Sequence, residues 1–140
     1  MSYWADSWNA EDRRRLQIQA GDPAGQARVE AYTLLISIAT WRQILLESQG
    51  SLAIIGDALG FLHDAVKLRA EDPVLNAIMG DLALLIAPTG MDIRFAHVWT
   101  QRNGTCDALS RLHNHETPDL AILREATVVK RAVTPRVLLL

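Results

Sequence analysis

The 140-residue chain contains one cysteine, Cys106, so it cannot form an intramolecular disulfide. A lone thiol favours a reducing, intracellular compartment, cytoplasmic or nuclear, over a secreted disulfide-stabilised fold. No apolar run reaches the roughly 18 residues that a membrane span needs. The first residues also lack the basic and apolar stretches of a secretory signal. These absences predict a protein with no membrane partner.

The chain has no excess of positive charge, and Phe and Tyr are few. The net charge is -2 and the sequence pI is about 6.0, so any nucleic-acid binding must depend on local charge and not on an overall basic field. The chain has only two Phe and two Tyr, but it has four Trp. Tryptophans in this number favour a packed core or stacking surfaces over disorder. The length suffices for one small domain with a real core.

Hydrophobic periodicity predicts helices in the first half of the chain after a polar, broken start. Residues 1–23 include the charged stretch 11–15, whose arginines are most simply a solvated face, and a Gly-Asp-Pro turn at 21–23. Apolar residues at three- and four-residue spacing then predict a helix from about Ala24 to Leu46. The short apolar run 52–56 predicts a strand buried on both faces, as in a parallel sheet.

The second half predicts three more helices and a second strand. A short helix is expected over 58–69, and Asp72-Pro73 is typical of an N-cap followed by proline at the first helical position. Residues 92–99 alternate as a strand does, and Asn103 can cap a last helix that ends near Leu112. Helices between strands favour right-handed crossovers and a parallel sheet, so the predicted class is α/β.

Two acidic residues occupy positions that need an explanation. Glu30 shares a helical face with Ala27, Leu34 and Ile38, where a carboxylate is costly unless it is paired, hydrogen-bonded or bound to a metal. The alternative is an acid at the edge of the apolar stripe, near a helix start whose dipole favours it. Asp57 follows the run 52–56, at the strand end where ligands bind in parallel α/β sheets. Its alternative is a plain N-cap for the next helix.

A third acid, Asp107, lies one turn beyond Asn103, where a carboxylate is usually only a helix-dipole partner. None of the three acids is specific alone, but together they lie on three elements that can converge on one sheet edge. Clustered carboxylates repel one another and favour bound cations. All-oxygen ligation suits Mg²⁺ or Mn²⁺, and two such ions roughly 4 Å apart hydrolyse phosphodiesters in other proteins.

The segment 93–112 resembles the final strand, loop and helix of retroelement ribonuclease H domains. His97 closes the strand, Asn103 follows six residues on, Asp107 four further, and Ala-Leu-Ser-Arg-Leu comes next. The stretch 54–60 around Asp57 is similar to the second-aspartate segment of the family, and the stretch 26–35 around Glu30 resembles its helical-glutamate segment. The likeness covers roughly residues 3–113.

The resemblance implies a ribonuclease H-like fold and a metal-dependent hydrolase that cuts the RNA strand of RNA–DNA hybrids. Glu30, Asp57 and Asp107 would hold two Mg²⁺ or Mn²⁺ ions. His97 would lie beside the site and assist water or product, unless it is only a strand-end histidine bonded to backbone. Asn103 would brace the loop on the substrate side, and the candidate contacts to the nucleic-acid backbone are Arg102, Arg94 and Lys67.

The chain departs from the family's pattern before Glu30, which only 29 residues precede. The family opens with three antiparallel strands, and the first bears an aspartate that joins the metal site. Here one short strand is expected near Ser2 to Ala5, and Asp6 is a superficial stand-in for the missing carboxylate. The strand 52–56 would therefore present an unpaired edge, open to self-association or to a strand from elsewhere, such as 137–140.

The predicted organisation is an N-terminal strand and loop remnant (1–23), a partial ribonuclease H-like core with a short parallel sheet flanked by helices (24–115), and a C-terminal tail (116–140) whose order is left open. The expected function is hybrid hydrolysis impaired by loss of the first catalytic aspartate, so enzymatic activity stays open. The alternatives are a non-catalytic retroelement-derived remnant that binds nucleic acid or protein weakly, and an unrelated α/β interaction module whose acids are caps.

Overall fold

A capping box begins the first helix in the computed structural model, which describes residues 2–3, 8–19, 21–48, 50–104 and 129–130. Helix α1 spans Ala10–Arg15. The Asn9 side chain accepts from the Asp12 backbone N–H at 2.9 Å, and the Asp12 carboxylate accepts from the Asn9 N–H at 2.9 Å. This exchange satisfies two donors that a helix start leaves open. The stretch expected to be a charged loop is thus a helix, although its three arginines are exposed as predicted.

The long helix α2 spans Pro23–Glu47, one residue beyond the predicted range at each end. It follows the predicted turn, in which Gly21 has a φ of 82°, a value that glycine adopts without the steric cost of a Cβ. Its buried side chains belong to the hydrophobic core, and the helix packs mainly on a later helix, Pro73–Ile86. They are Ala31, Tyr32, Leu34, Leu35, Ile36, Ile38 and Leu45.

Two parallel strands lie beside these helices. Strand β2 (Ser51–Gly56) pairs with β3 (Asp92–His97), with Ser51 opposite Asp92 and Gly56 opposite His97. Between the strands the chain forms helix α3 (Leu59–Lys67), helix α4 (Pro73–Ile86) and a 3-10 turn at Ala87–Thr89. The parallel pairing confirms the predicted α/β class at this coarse level; the finer ribonuclease H-like topology stays a prediction.

A cluster of polar groups around Arg28 joins helices α1, α2 and α4. The Asp72 carboxylate accepts from the Leu75 N–H at 2.8 Å, which confirms the predicted N-cap of α4. Arg28 of α2 donates to both oxygens of this carboxylate and, through Nη1, to the Leu16 and Gln17 carbonyls after α1 at 3.0 Å each. One guanidinium therefore connects the end of α1, the body of α2 and the start of α4.

The prediction that the strand 52–56 is buried on both faces is wrong. Burial alternates along β2, and Ile55 remains 60% exposed while Leu52 and Ile54 pack on the helices. The run is apolar at every position except its glycine, so hydrophobicity could not reveal that only one face is covered. Among the described residues β2 pairs with β3 alone, so its other edge is unpaired, as expected.

A second, minimal pair of strands lies outside that sheet. Strand β1 (Ser2–Tyr3) runs parallel to β4 (Val129–Lys130), with Ser2 opposite Val129 and Tyr3 opposite Lys130. The predicted short strand at the start of the chain thus exists, and its partner lies in the predicted C-terminal tail. Asp6, the predicted last helix beyond Gly104 and the run 137–140 lie outside the described residues.

Candidate active site

The carboxyl ends of β2 and β3 meet at one edge of the sheet because the strands are parallel and in register. Gly56 pairs with His97, and the Val98 N–H extends the ladder by donating to the Gly56 carbonyl at 2.9 Å. Asp57, half-buried, follows at once. It does not cap α3, whose N-cap is Ala58 with no side-chain hydrogen bond. The N-cap explanation for Asp57 is therefore wrong.

Glu30, which is half-buried, lies on α2, the helix that precedes β2 in the chain. Glu30 lies beyond the first helical turn, which holds no acid, and the helix dipole therefore gives it little stabilisation.

The charge of Asp57 contributes to the electrostatics of Glu30. Burial raises the pKa of the Glu30 carboxyl, a hydrogen bond from Gln26 lowers it, and the negative charge of Asp57 raises it further. Gln26 Nε2 donates to Glu30 Oε1 at 2.8 Å. The outcome is a raised pKa, which means that the folded chain holds this carboxylate at a cost in free energy.

These two carboxylates fit a divalent cation by their chemistry. Their oxygens are the ligands that Mg²⁺ and Mn²⁺ prefer, and a cation between them would relieve their repulsion. The third predicted ligand, Asp107, lies outside the described residues. Within the described ranges, no three His, Cys, Asp or Glu side chains form a group that could hold a metal ion.

His97 is half-buried at the end of β3, and its ring contacts an indole that sequence reasoning did not single out. The centroids of His97 and Trp99 are 5.1 Å apart, with the ring planes at 82°. No described residue hydrogen-bonds to the His97 ring, so the alternative of a backbone-bonded histidine has no support in this part of the chain. Trp99 is 67% exposed. Its position just past a strand end was the only sequence signal that could have identified it.

The predicted substrate contacts are scattered. Arg94 lies on the exposed face of β3, opposite to the His97 side, and pairs with Asp92 at 2.8 Å. Lys67 ends α3, about 12 Å along the helix from the sheet edge, with its Nζ 2.7 Å from His63 Nε2. Arg102 is exposed in a 3-10 turn (Thr100–Arg102) that follows β3, and the half-buried Asn103 comes next.

Comparisons of the chain with protein-family models, curated proteins and solved structures found no match. Across the described residues, no helix combines the length and apolar character that crossing a membrane requires. The likeness to ribonuclease H therefore depends on the residues around Glu30, Asp57 and Asp107, and the geometry of the first two is what bears on function.

Proposed function

We propose that the chain carries a partial ribonuclease H-type site that hydrolyses the RNA strand of RNA–DNA hybrids with Mg²⁺ or Mn²⁺. The observation that supports this proposal is the half-buried Glu30 carboxylate. Its pKa is raised by burial and by the charge of Asp57, which lies at the carboxyl edge of a parallel strand pair. Two acids kept together at a free-energy cost are typical of sites that bind cations.

In this proposal each residue of the chain has a distinct task. Gln26 orients the Glu30 carboxylate through its 2.8 Å hydrogen bond, the ladder between β2 and β3 holds Asp57, and Asp107 supplies the third carboxylate. When bound, the cations would activate water and stabilise the leaving oxygen of the phosphodiester. Three carboxylates give a weaker metal site than the four that the family uses, so we expect slow turnover by this chain alone.

A second candidate function is non-catalytic binding through the open edge of the sheet. The observation that favours it is strand β2, which has no charged side chain and no proline and whose outer edge is unpaired among the described residues. Natural edge strands usually carry such protecting residues. An unprotected edge can add a strand from a partner or from a second copy of the chain.

Cleavage of an RNA–DNA hybrid with a labelled RNA strand, in Mg²⁺ or Mn²⁺, tests the nuclease proposal. We expect products with a 3′-hydroxyl and a 5′-phosphate from the wild-type chain and no cleavage by Asp57→Asn. Asp92→Asn is the matched control, because Asp92 is an exposed acid at the other end of the paired strand. Hybrid binding without cleavage would favour the non-catalytic remnant that binds nucleic acid over the nuclease. A folded chain that neither cuts nor binds the hybrid would refute the nuclease proposal.

A further inference from the structure

An exposed indole stands beside the candidate active site. Trp99 is 67% exposed, the largest exposed fraction among the large hydrophobic side chains of the described residues. It lies two residues past the end of β3, on the same sheet edge as Asp57. Solvation of so large an apolar surface is unfavourable, so a ring in this position is a candidate contact for a ligand.

The geometry of the neighbouring rings leaves a face of the indole available. Trp99 and His97 meet edge to face, with planes at 82°. If the edge of the His97 ring points at the indole, one face of the indole stays open. If the edge of the indole points at the His97 ring, both faces of the indole stay open. Aromatic stacking on a ligand needs one open face, which either arrangement provides.

The positively charged residue Arg102 is linked to Trp99 by a backbone hydrogen bond. The Arg102 N–H donates to the Trp99 carbonyl at 2.7 Å, which closes the turn that carries both residues. The Arg102 side chain is exposed, and no residue in the described ranges forms an ion pair with it. A guanidinium of this kind suits a phosphate, to which it can donate two parallel hydrogen bonds.

We infer that Trp99 and Arg102 form a stacking platform for one unpaired nucleotide, with the base on the indole and the phosphate on the guanidinium. Bases inside a duplex have both faces covered by their neighbours, so only an unpaired base can stack on a side chain. The inference rests on the proposed function, since it assumes that nucleic acid reaches this edge. It specifies the substrate class: a hybrid with a single-stranded extension, bound in preference to a blunt one.

Equilibrium binding to two labelled hybrids that differ only in a short single-stranded extension tests the platform. The measurements use the Asp57→Asn chain, which keeps the hybrid intact. We expect the extended hybrid to bind about tenfold more tightly than the blunt one, from one base–aromatic stack. Adding Trp99→Leu should remove this preference, while Trp99→Phe should retain part of it. Leu84→Ala is the control, since Leu84 is 64% exposed on α4.

Three results would overturn the inference in distinguishable ways. An unchanged preference for the extension in Trp99→Leu would refute the platform and leave the nuclease proposal standing. Absence of binding to either hybrid by the folded chain would refute both. A shift from dimer to monomer in Trp99→Leu during sedimentation, with hybrid binding unaltered, would assign the indole to a contact between two copies of the chain.

Discussion

Replacing Glu30 by glutamine should stabilise the metal-free protein at neutral pH. Burial raises the Glu30 pKa above its unfolded value, and Asp57 raises it further. A carboxyl group with a raised folded pKa contributes stability that is fully present below the unfolded pKa and is lost as pH rises through the folded pKa. At pH 7 the wild-type chain therefore bears the cost of a charged Glu30, which a neutral amide removes.

The size of the effect follows from the two carboxylates and their exposure. Burial, the larger cause, and the charge of Asp57 both disfavour the ionised form of Glu30, and a tenfold change in an acid's dissociation constant corresponds to about 1.4 kcal/mol. Glu30 and Asp57 are only half-buried, so solvent screening reduces the expected gain for Glu30→Gln to about 1 kcal/mol. The variant keeps an oxygen that can accept from Gln26. For a chain of this length, the gain corresponds to a Tm increase of about 4 °C.

Thermal and urea unfolding at pH 7, with and without Mg²⁺, measure this prediction. Ligand at ten times its Kd stabilises a protein by about 1.4 kcal/mol, and we expect this gain in the wild type but not in Glu30→Gln. As pH falls through the Glu30 pKa, the wild type should approach the variant in stability, because its carboxyl group becomes neutral too.

Glu47→Gln is the matched control for these measurements. Glu47 ends the same helix and accepts a hydrogen bond from Gln43 Nε2 at 2.6 Å. The donor is again a glutamine four residues earlier, as in the contact of Gln26 with Glu30, but Glu47 is exposed. This variant should change the unfolding free energy by less than about 0.5 kcal/mol. A lower Tm for Glu30→Gln without metal, or an equal Mg²⁺ response in both variants and the wild type, would contradict the shared cation site.

Two further predictions concern the helices. Asp72→Ala removes the cap of α4 and the partner of Arg28, so we expect a loss of about 2 kcal/mol in unfolding free energy, against less than about 0.5 kcal/mol for the exposed Asp92→Ala. Because the hydrogen bond from Arg28 lowers the pKa of Asp72, this stabilisation is present above the unfolded pKa and disappears as pH falls through the folded pKa. Urea unfolding at neutral and acidic pH measures this loss of stability. Leu82→Ala, at a fully buried position, should lower the unfolding free energy by about 2–5 kcal/mol in the same assay. Leu84→Ala, two residues on and mostly exposed, should lower it by less than about 0.5 kcal/mol. Equal losses in the two variants would refute the packing described for α4.

The secondary structure was predictable where local rules operate. Spacing of apolar residues located the long helix to within one residue at each end, and Asp72-Pro73 identified the start of α4, because caps and periodicity depend on near neighbours. The capping box that begins α1 was also a local signal. Asn9 and Asp12 carry it, and the arginines that follow obscured it.

The amino-acid sequence alone determined the α/β class, the limits of α2, the start of α4 and the strand end that carries Asp57, since these depend on contacts within a few residues. Tertiary structure decided three features: the charge of Asp57 raises the pKa of Glu30, only one face of β2 is covered, and Trp99 is exposed to solvent. Each of these features depends on contacts between elements distant in the chain or on which surfaces pack together. The periodicity of apolar residues carries no information about such contacts or about the choice of packed surfaces.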